Sequence, residues 1–253
     1  MSTNNTGRFS NRVEDYAKFR PGYPISILNY LQDNFHLTRD KSIVDIGAGT
    51  GISSALFLEA GYAVRAVEPN REMIEKSVEL LRHYPRFTPI EARAEDTELP
   101  DNIADAIVSG QAFHWFDTAK SKKEFERILK PGGILALIWN ERKTTSPFEL
   151  EYEELTVKHG KDYVKVDHRN ISDQDIDKFF YPWTCTRKVF DNCQVFDFEG
   201  LKGRLLSSSY MPAKDQSGYG AMIDDLEKLF EKYKEDNRIR INYDTKLYAG
   251  TFK

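Results

Sequence analysis

The sequence predicts an α/β protein in which helices wrap a parallel sheet, and three observations carry that expectation. Short apolar runs at residues 43–46, 63–67, 104–108 and 134–139 have the length and composition of strands buried on both faces. The stretches between them place apolar residues at helical spacing, as Ile74, Val78 and Leu81 do. The first run ends in alternating glycines, Gly47, Gly49 and Gly51, a strand-to-helix turn in which backbone can come close to a ligand. Strands and helices that alternate at this spacing form right-handed βαβ units around one sheet.

Along the chain, the first ten residues read as a flexible arm. A short helix begins near Val13 and stops at Pro21-Gly22, a breaker pair. A second helix follows Pro24, with Ile27, Leu28 and Leu31 on one face. Residues 43–46 form strand one, and 52–59 a helix closed by Gly61. Residues 63–67 form strand two, 71–81 a helix, and 89–92 a weaker strand three. Strand four at 104–108, a helix at 121–129 and strand five at 134–139 complete the alternating half. Ser146-Pro147-Phe148-Glu149 then has the form of a capping box with proline at the first helical position, so a helix runs on through Val157. A short helix is expected at 173–180, and strand material at 186–190 and 194–196. Ile223, Leu226, Leu229, Phe230 and Tyr233 mark an amphipathic helix, and 239–252 closes the chain as a strand or hairpin. The whole reads as a single domain over 1–253, with an N-terminal arm at 1–23 and a helical lid insertion at 141–180. The insertion has few apolar positions from which to build a core of its own.

Composition narrows the function classes. With 36 basic and 40 acidic side chains the net charge is −4, which gives no electrostatic case for nucleic acid or an anionic membrane. No apolar run reaches the length of a membrane span, and the polar start lacks the apolar stretch of a signal peptide, so a cytoplasmic location is expected. Cys185 and Cys193 have no nearby paired histidine and read as free thiols, with no metal site expected.

The glycine turn then asks for its ligand. A dinucleotide fingerprint needs a third glycine where Ile52 stands, and a phosphate-cradling P-loop needs a Gly-Lys-Ser/Thr ending where Gly51-Ile52-Ser53 stands. Asp45, just before the turn, would repel a pyrophosphate and suits a cationic group. Glu68, at the end of strand two, can accept both hydroxyls of a ribose. An adenosine-like ligand with a positive end and no phosphates satisfies both acids, and S-adenosylmethionine is such a ligand.

These residues carry a family resemblance. Ile43-Val44-Asp45-Ile46-Gly47-Ala48-Gly49-Thr50-Gly51 resembles the first motif of class I S-adenosylmethionine-dependent methyltransferases, and Glu68 in Ala66-Val67-Glu68-Pro69-Asn70 their ribose-binding acid. Ala94-Glu95-Asp96 with Leu99-Pro100 is similar to the adenine loop, and Phe113-His114-Trp115-Phe116 and Leu129-Lys130-Pro131-Gly132-Gly133 are typical of the family. Asp15-Tyr16, Phe19-Arg20-Pro21-Gly22-Tyr23-Pro24 and Gln111-Ala112-Phe113-His114-Trp115 resemble, more narrowly, the trans-aconitate-methyltransferase-like small-molecule enzymes. The general resemblance covers residues 40–140, and the narrower one reaches into the arm.

The resemblance implies a Rossmann-like, mostly parallel seven-stranded sheet with the last strand antiparallel and helices on both faces. It implies that Gly47, Gly49 and Gly51 admit the methionine part of the cofactor, and that Asp45, Glu68, Asp96 and Gln111 converge on it. Glu68 would take the ribose hydroxyls, and Asp96 or Glu95 would meet the adenine. Tyr16 and Arg20 would reach over the cofactor, Arg20 to its carboxylate, and Tyr16 and Tyr23 would offer ring faces to the sulfonium. His114 could deprotonate or orient the acceptor. Each has a plain alternative: a tight turn for the glycines, a helix cap at Arg71 for Glu68, a loop acid for Asp96, a surface arginine and packing tyrosine in the arm, and a packing histidine among aromatics. His36, His83, His159 and His168 have no supporting constellation.

The expected reaction is direct in-line methyl transfer to an O, N or C atom of a small-molecule acceptor, with a carboxylic acid among the candidates. Arg142, Lys143, Arg169 and Arg204 are basic candidates for an acidic acceptor. Three other readings compete. A nicotinamide-dependent oxidoreductase lacks its third glycine, and a non-catalytic cofactor-binding protein would show a blocked acceptor cavity. A nucleic-acid methyltransferase lacks the Asn/Asp-Pro-Pro-Tyr/Phe motif after strand four.

Overall fold

A computed structural model describes residues 13–161 and 171–253. Seven strands form one sheet in the order β3-β2-β1-β4-β5-β7-β6. They are β1 (Ser42–Ile46), β2 (Ala63–Val67), β3 (Phe87–Ile90), β4 (Ala104–Gly110), β5 (Leu129–Arg142), β6 (Thr186–Phe196) and β7 (Ile239–Thr251). The first five run parallel, and β7 runs antiparallel to both of its neighbours. The order reverses at β1, which lies between β2 and β4, and the crevice beyond the carboxyl ends of these strands is where such sheets bind ligands.

Side-chain alternation splits each central strand between two cores. Ile134, Ala136 and Ile138 of β5 join a cluster with Ile27, Leu28 and Leu31 of α2 (Ser26–Phe35) and Leu56, Phe57 and Leu58 of α3 (Ile52–Glu59). Leu135, Leu137 and Trp139 face the opposite way, toward Phe125 and Ile128 of α5 (Thr118–Ile128). The helix α4 (Arg71–Leu81) adds Leu81 to the first cluster. A third cluster gathers α6 (Pro147–His159), α8 (Phe198–Leu206), α9 (Tyr219–Tyr233) and the first half of β7. Between these helices in sequence, α7 (Asp173–Phe180) enters the second core, where Phe179 lies 4.7 Å from Phe113 and 5.5 Å from Phe252. Of residues 141–180, then, α6 packs on the helices that follow β6 and α7 packs beside the sheet. Residues 162–170 lie outside the described part, as do residues 1–12 of the expected arm.

The arm's described part is a helical strap, α1 (Val13–Phe19). It lies on α8, where a Cβ on Gly203 would sit 2.2 Å from the Phe19 ring, so only glycine lets the two helices approach this closely. Lys76 of α4 holds its other side through Glu14 at 2.8 Å.

Several element boundaries differ from the sequence reading for identifiable reasons. Strand three lies at Phe87–Ile90 and not at 89–92, because its register against β2 pairs Val64 with Phe87 and Val67 with Ile90. Strand five extends from 134–139 to Leu129–Arg142, since β7 pairs along it as far as Arg142↔Tyr243. The two strand fragments at 186–196 are one continuous strand, because Asp191, Asn192 and Cys193 keep their pairing with β7. Residues 239–251 are one strand and not a hairpin. The α8 helix was absent from the sequence reading. Gly200 and Gly203 lower its propensity, yet Asp197 caps it by accepting from the Gly200 N–H at 2.8 Å. No described helix is long and apolar enough to cross a membrane.

Candidate functional site

The strand β1 ends at Ile46, and the chain turns into α3 through Gly47, Gly49 and Gly51, all with positive φ. Their surroundings differ. A Cβ on Gly51 would lie 2.4 Å from Leu81 Cδ1, so that glycine is fixed by packing, whereas a Cβ on Gly49 would meet nothing within 4 Å. Gly49 thus combines a left-handed backbone with open space beside it, the arrangement a ligand needs to touch main chain.

Glu68 holds this turn. Its carboxylate accepts from the Gly49 N–H at 2.9 Å and from the Asn70 N–H at 3.0 Å, tying the glycine loop to the end of β2 and the start of α4. Burial raises its pKa, and the nearby Asp45 adds to that rise. Two of the roughly four lone-pair positions of a carboxylate are used, so others stay available.

Asp45 is fully buried beneath the turn. Its Oδ2 accepts from the Ser53 and Ser54 hydroxyls at 2.6 and 2.7 Å, and its Oδ1 has no hydrogen-bond partner among the described residues. Burial pushes its pKa up to about 6, against the lowering effect of the two serines. A buried carboxylate with an orphan oxygen is a site for a cation or a donor.

A narrow cleft opens over the turn. Gly47, Gly49, Ile52 and Ser53 form its floor, Tyr16, Arg20 and Tyr23 one wall, and Gly110, Gln111, Asn140 and Arg204 the rest. Arg20 lies 4.9 Å over the Tyr16 ring and donates from Nη2 to the Ser207 carbonyl at 3.0 Å. Its Nε has no partner among the described residues. Burial, and then the Arg204 charge, lower the Arg20 pKa.

Gln111, with φ +57°, follows β4 and extends its pairing with β5: its Oε1 accepts from the Asn140 N–H at 2.9 Å. Asn140 knits three segments together. Its Nδ2 donates to the Gly22 carbonyl at 3.1 Å, and its Oδ1 accepts from Asn192 Nδ2 at 3.1 Å and from the Thr245 hydroxyl. Its part in the cleft wall was not foreseen in the sequence, where an asparagine at a strand end carries no motif.

The structure therefore brings together Tyr16, Arg20, Gly47, Gly49 and Gln111 along the cleft, with Glu68 bonded to its Gly49, Asp45 to its Ser53, and Gly51 in the same turn. Glu95, Asp96 and His114 are not in its wall. Glu95 accepts from the Asp117 N–H at 2.9 Å and meets Arg93 at 3.3 Å, while Asp96 is exposed. His114 sits in a short 3-10 turn, Phe113–Trp115, with its ring 4.5 Å from that of Trp115. Among the basic candidates, Arg142 pairs with Glu153, and Lys143 pairs with Asp191 and Asp244. Arg204 is 6% exposed in the cleft wall, and Arg169 and His168 lie outside the described residues. Among the described residues, no group of His, Cys, Asp and Glu side chains is assembled to hold a metal.

Comparison with known proteins addresses the same turn. Residues 44–137, from β1 through the core of β5, match a family model described as a methyltransferase domain. The chain carries a methyltransferase domain, and its cofactor is S-adenosyl-L-methionine. An uncharacterized methyltransferase of Schizosaccharomyces pombe is 27% identical over 249 residues, 96% of each chain. One from Mycobacterium tuberculosis is 34% identical over 152 residues, 60% of each chain. A solved structure from Anaeromyxobacter dehalogenans, provisionally assigned as a type II methyltransferase, superposes with a TM-score of 0.72. It is 23% identical and is covered over 98% of its length by 92% of this chain. That likeness extends the shared fold beyond the matched domain to the reversed β7 and its neighbours. The residues of the methyltransferase fit the cofactor chemically: open space at Gly49, an orphan carboxylate oxygen at Asp45 and an orphan guanidinium nitrogen at Arg20 match a ligand with a cationic amine and a carboxylate.

Proposed function

We propose that this S-adenosylmethionine-dependent methyltransferase acts on a small organic acceptor, as a cytoplasmic enzyme similar to the trans-aconitate-methyltransferase-like group. The observation that carries the reading is the Glu68–Gly49 tie. It fixes a ribose-competent carboxylate and a backbone-open glycine side by side at the switch point of the sheet. When bound, S-adenosylmethionine supplies a methyl group on a sulfonium, which an acceptor lone pair displaces in line as the C–S bond breaks and S-adenosylhomocysteine leaves.

The chain's own residues supply alignment, a contribution that can reach roughly 7–11 kcal/mol. Glu68 orients the ribose through its remaining lone pairs, and Asp45 faces the ammonium. Arg20 takes the cofactor carboxylate, and Tyr16 and Tyr23 present their rings toward the sulfonium. Gln111 and Asn140 keep the end of β5 and the strap together, so the acceptor side of the cleft stays fixed. The 94–96 loop receives the adenine, through Glu95 or Asp96. A carboxylate acceptor needs no base at neutral pH, and His114, outside the cleft wall, has no proton to take in that case. A hydroxyl or amine acceptor would engage it.

Calorimetric titration with S-adenosylhomocysteine tests the reading, with Glu68→Ala in parallel. Micromolar binding by the wild type that weakens about tenfold or more in the variant is expected, the size of one or two charge-assisted hydrogen bonds. A folded wild type that does not bind overturns it.

A further inference from the structure

Two guanidinium groups line the cleft, and among the described residues no carboxylate pairs with either. Arg204, on α8, donates from Nε to the Tyr243 hydroxyl at 3.1 Å, and its Nη1 reaches the Ser207 and Ser208 hydroxyls only at 3.5 and 3.4 Å. Its Nη2 donates to nothing among the described residues, although the side chain is almost wholly buried and lines the cleft. Arg20 similarly keeps an unpartnered Nε. Next to Arg204 lies Tyr152, 1% exposed, whose hydroxyl has no hydrogen-bond partner among the described residues. The Tyr152 ring is already covered by Arg142 at 4.7 Å, and Arg142 has its own acid in Glu153. The charge excess therefore rests on Arg20 and Arg204.

Burying two like charges together is costly unless an anion joins them. The cofactor brings one carboxylate against two cationic centres, its ammonium and its sulfonium, and Asp45 stands on the ammonium's side of the cleft. One cofactor carboxylate leaves one guanidinium unmatched. We infer that Arg204 is the seat of an oxyanion carried by the acceptor, a carboxylate or a phosphate, and so sets acceptor specificity. The planar fork of Arg204, fixed by Tyr243 at one nitrogen and open at the other end, suits a two-oxygen contact. This inference rests on the proposed methyltransferase reading of the cleft, in which Arg20 is spent on the cofactor.

The test uses the full chain saturated with S-adenosylhomocysteine, titrated calorimetrically with succinate, inorganic phosphate and the neutral analogue succinamide. Saturable binding of succinate or phosphate, but not of succinamide, is expected, and whichever anion binds more tightly identifies the source. Arg204→Gln should weaken that anion about tenfold or more, with Arg204→Lys between, while S-adenosylhomocysteine affinity stays within about twofold. The lysine variant keeps charge and stem, so a loss there reports the missing fork and not an unfolded chain. The inference is overturned if S-adenosylhomocysteine binds and neither anion does, or if Arg204→Gln binds the anion as well as the wild type. Parallel loss of S-adenosylhomocysteine affinity in Arg204→Gln also overturns it, by placing Arg204 on the cofactor. Failure of the wild type to bind S-adenosylhomocysteine at all sinks the underlying reading instead.

Discussion

Burial keeps the Asp45 carboxyl protonated up to about pH 6, and two opposite pH dependences follow from that single group. Between about pH 4 and 6 the folded chain holds a proton that the unfolded chain has released, so stability falls as pH rises, by roughly 3 kcal/mol in total. Asp45→Asn removes this term. Its thermal midpoint should exceed that of the wild type at about pH 7 and match it near pH 4, a difference read by melting both proteins across that range. Ligand affinity runs the other way. A cationic amine prefers the ionised form, so S-adenosylhomocysteine binding should strengthen as pH rises through about 6 and then level off, with the slope absent in Asp45→Asn. At this scale part of the candidate site was legible: the glycines, Asp45 and Glu68 stand at strand ends, where position points to a ligand, and the family resemblance added Gln111. Asn140 was hidden, because a side chain that bonds to three distant segments leaves no local pattern, and Arg204 stood in the sequence as one of four basic candidates with nothing local to single it out.

The helices on the cleft's far side depend on particular contacts that can be broken singly. Glu149 opens α6 as the acid of its capping box, accepting from the Thr145 and Ser146 N–H groups at 3.0 Å each and from Asn242 of β7 at 2.9 Å. Although partly opposed by burial, these bonds hold its pKa near 2, below the usual 4.5. Its stabilisation is thus present above about pH 4.5 and is lost as pH falls through about 2. Urea unfolding of Glu149→Ala should show a loss of about 2 kcal/mol at neutral pH, a gap that narrows as pH is lowered toward 3. On the neighbouring helix, Gly203→Ala would drive a methyl into the Phe19 ring and push α1 off α8. Because Tyr16 and Arg20 flank Phe19, S-adenosylhomocysteine affinity should fall about tenfold, more than the stability loss would explain. Two glycines explain why α8 was not legible: Gly200 and Gly203 lower its helix propensity, and only the structure shows Gly203 making room for the Phe19 ring and Gly200 for that of Phe196. By contrast α4 and α7 were read to the residue, since caps and apolar stripe agree in each.

At the scale of the whole molecule, a ligand that binds only the folded chain stabilises it by mass action. S-adenosylhomocysteine at about one hundred times its dissociation constant should add about 2.7 kcal/mol and raise the melting temperature by roughly 5–10 °C, while NADH should leave it unchanged. The parallel half of the sheet was legible because its strands are apolar on both faces. The reversed β7 was not legible from pattern, since the direction of a strand depends on how the chain returns from α9, and the family resemblance supplied it. The chain closes its cleft by a long return: Arg20 docks on the Ser207 carbonyl, 187 residues later. A ribosome adding about 5–20 residues per second needs roughly 10–40 s to span that interval. For that time the nascent enzyme has its glycine turn but no surface on which the strap can rest. Any message or protease that ends the chain before α8 removes both the seat of the strap and β7, through which β6 joins the sheet.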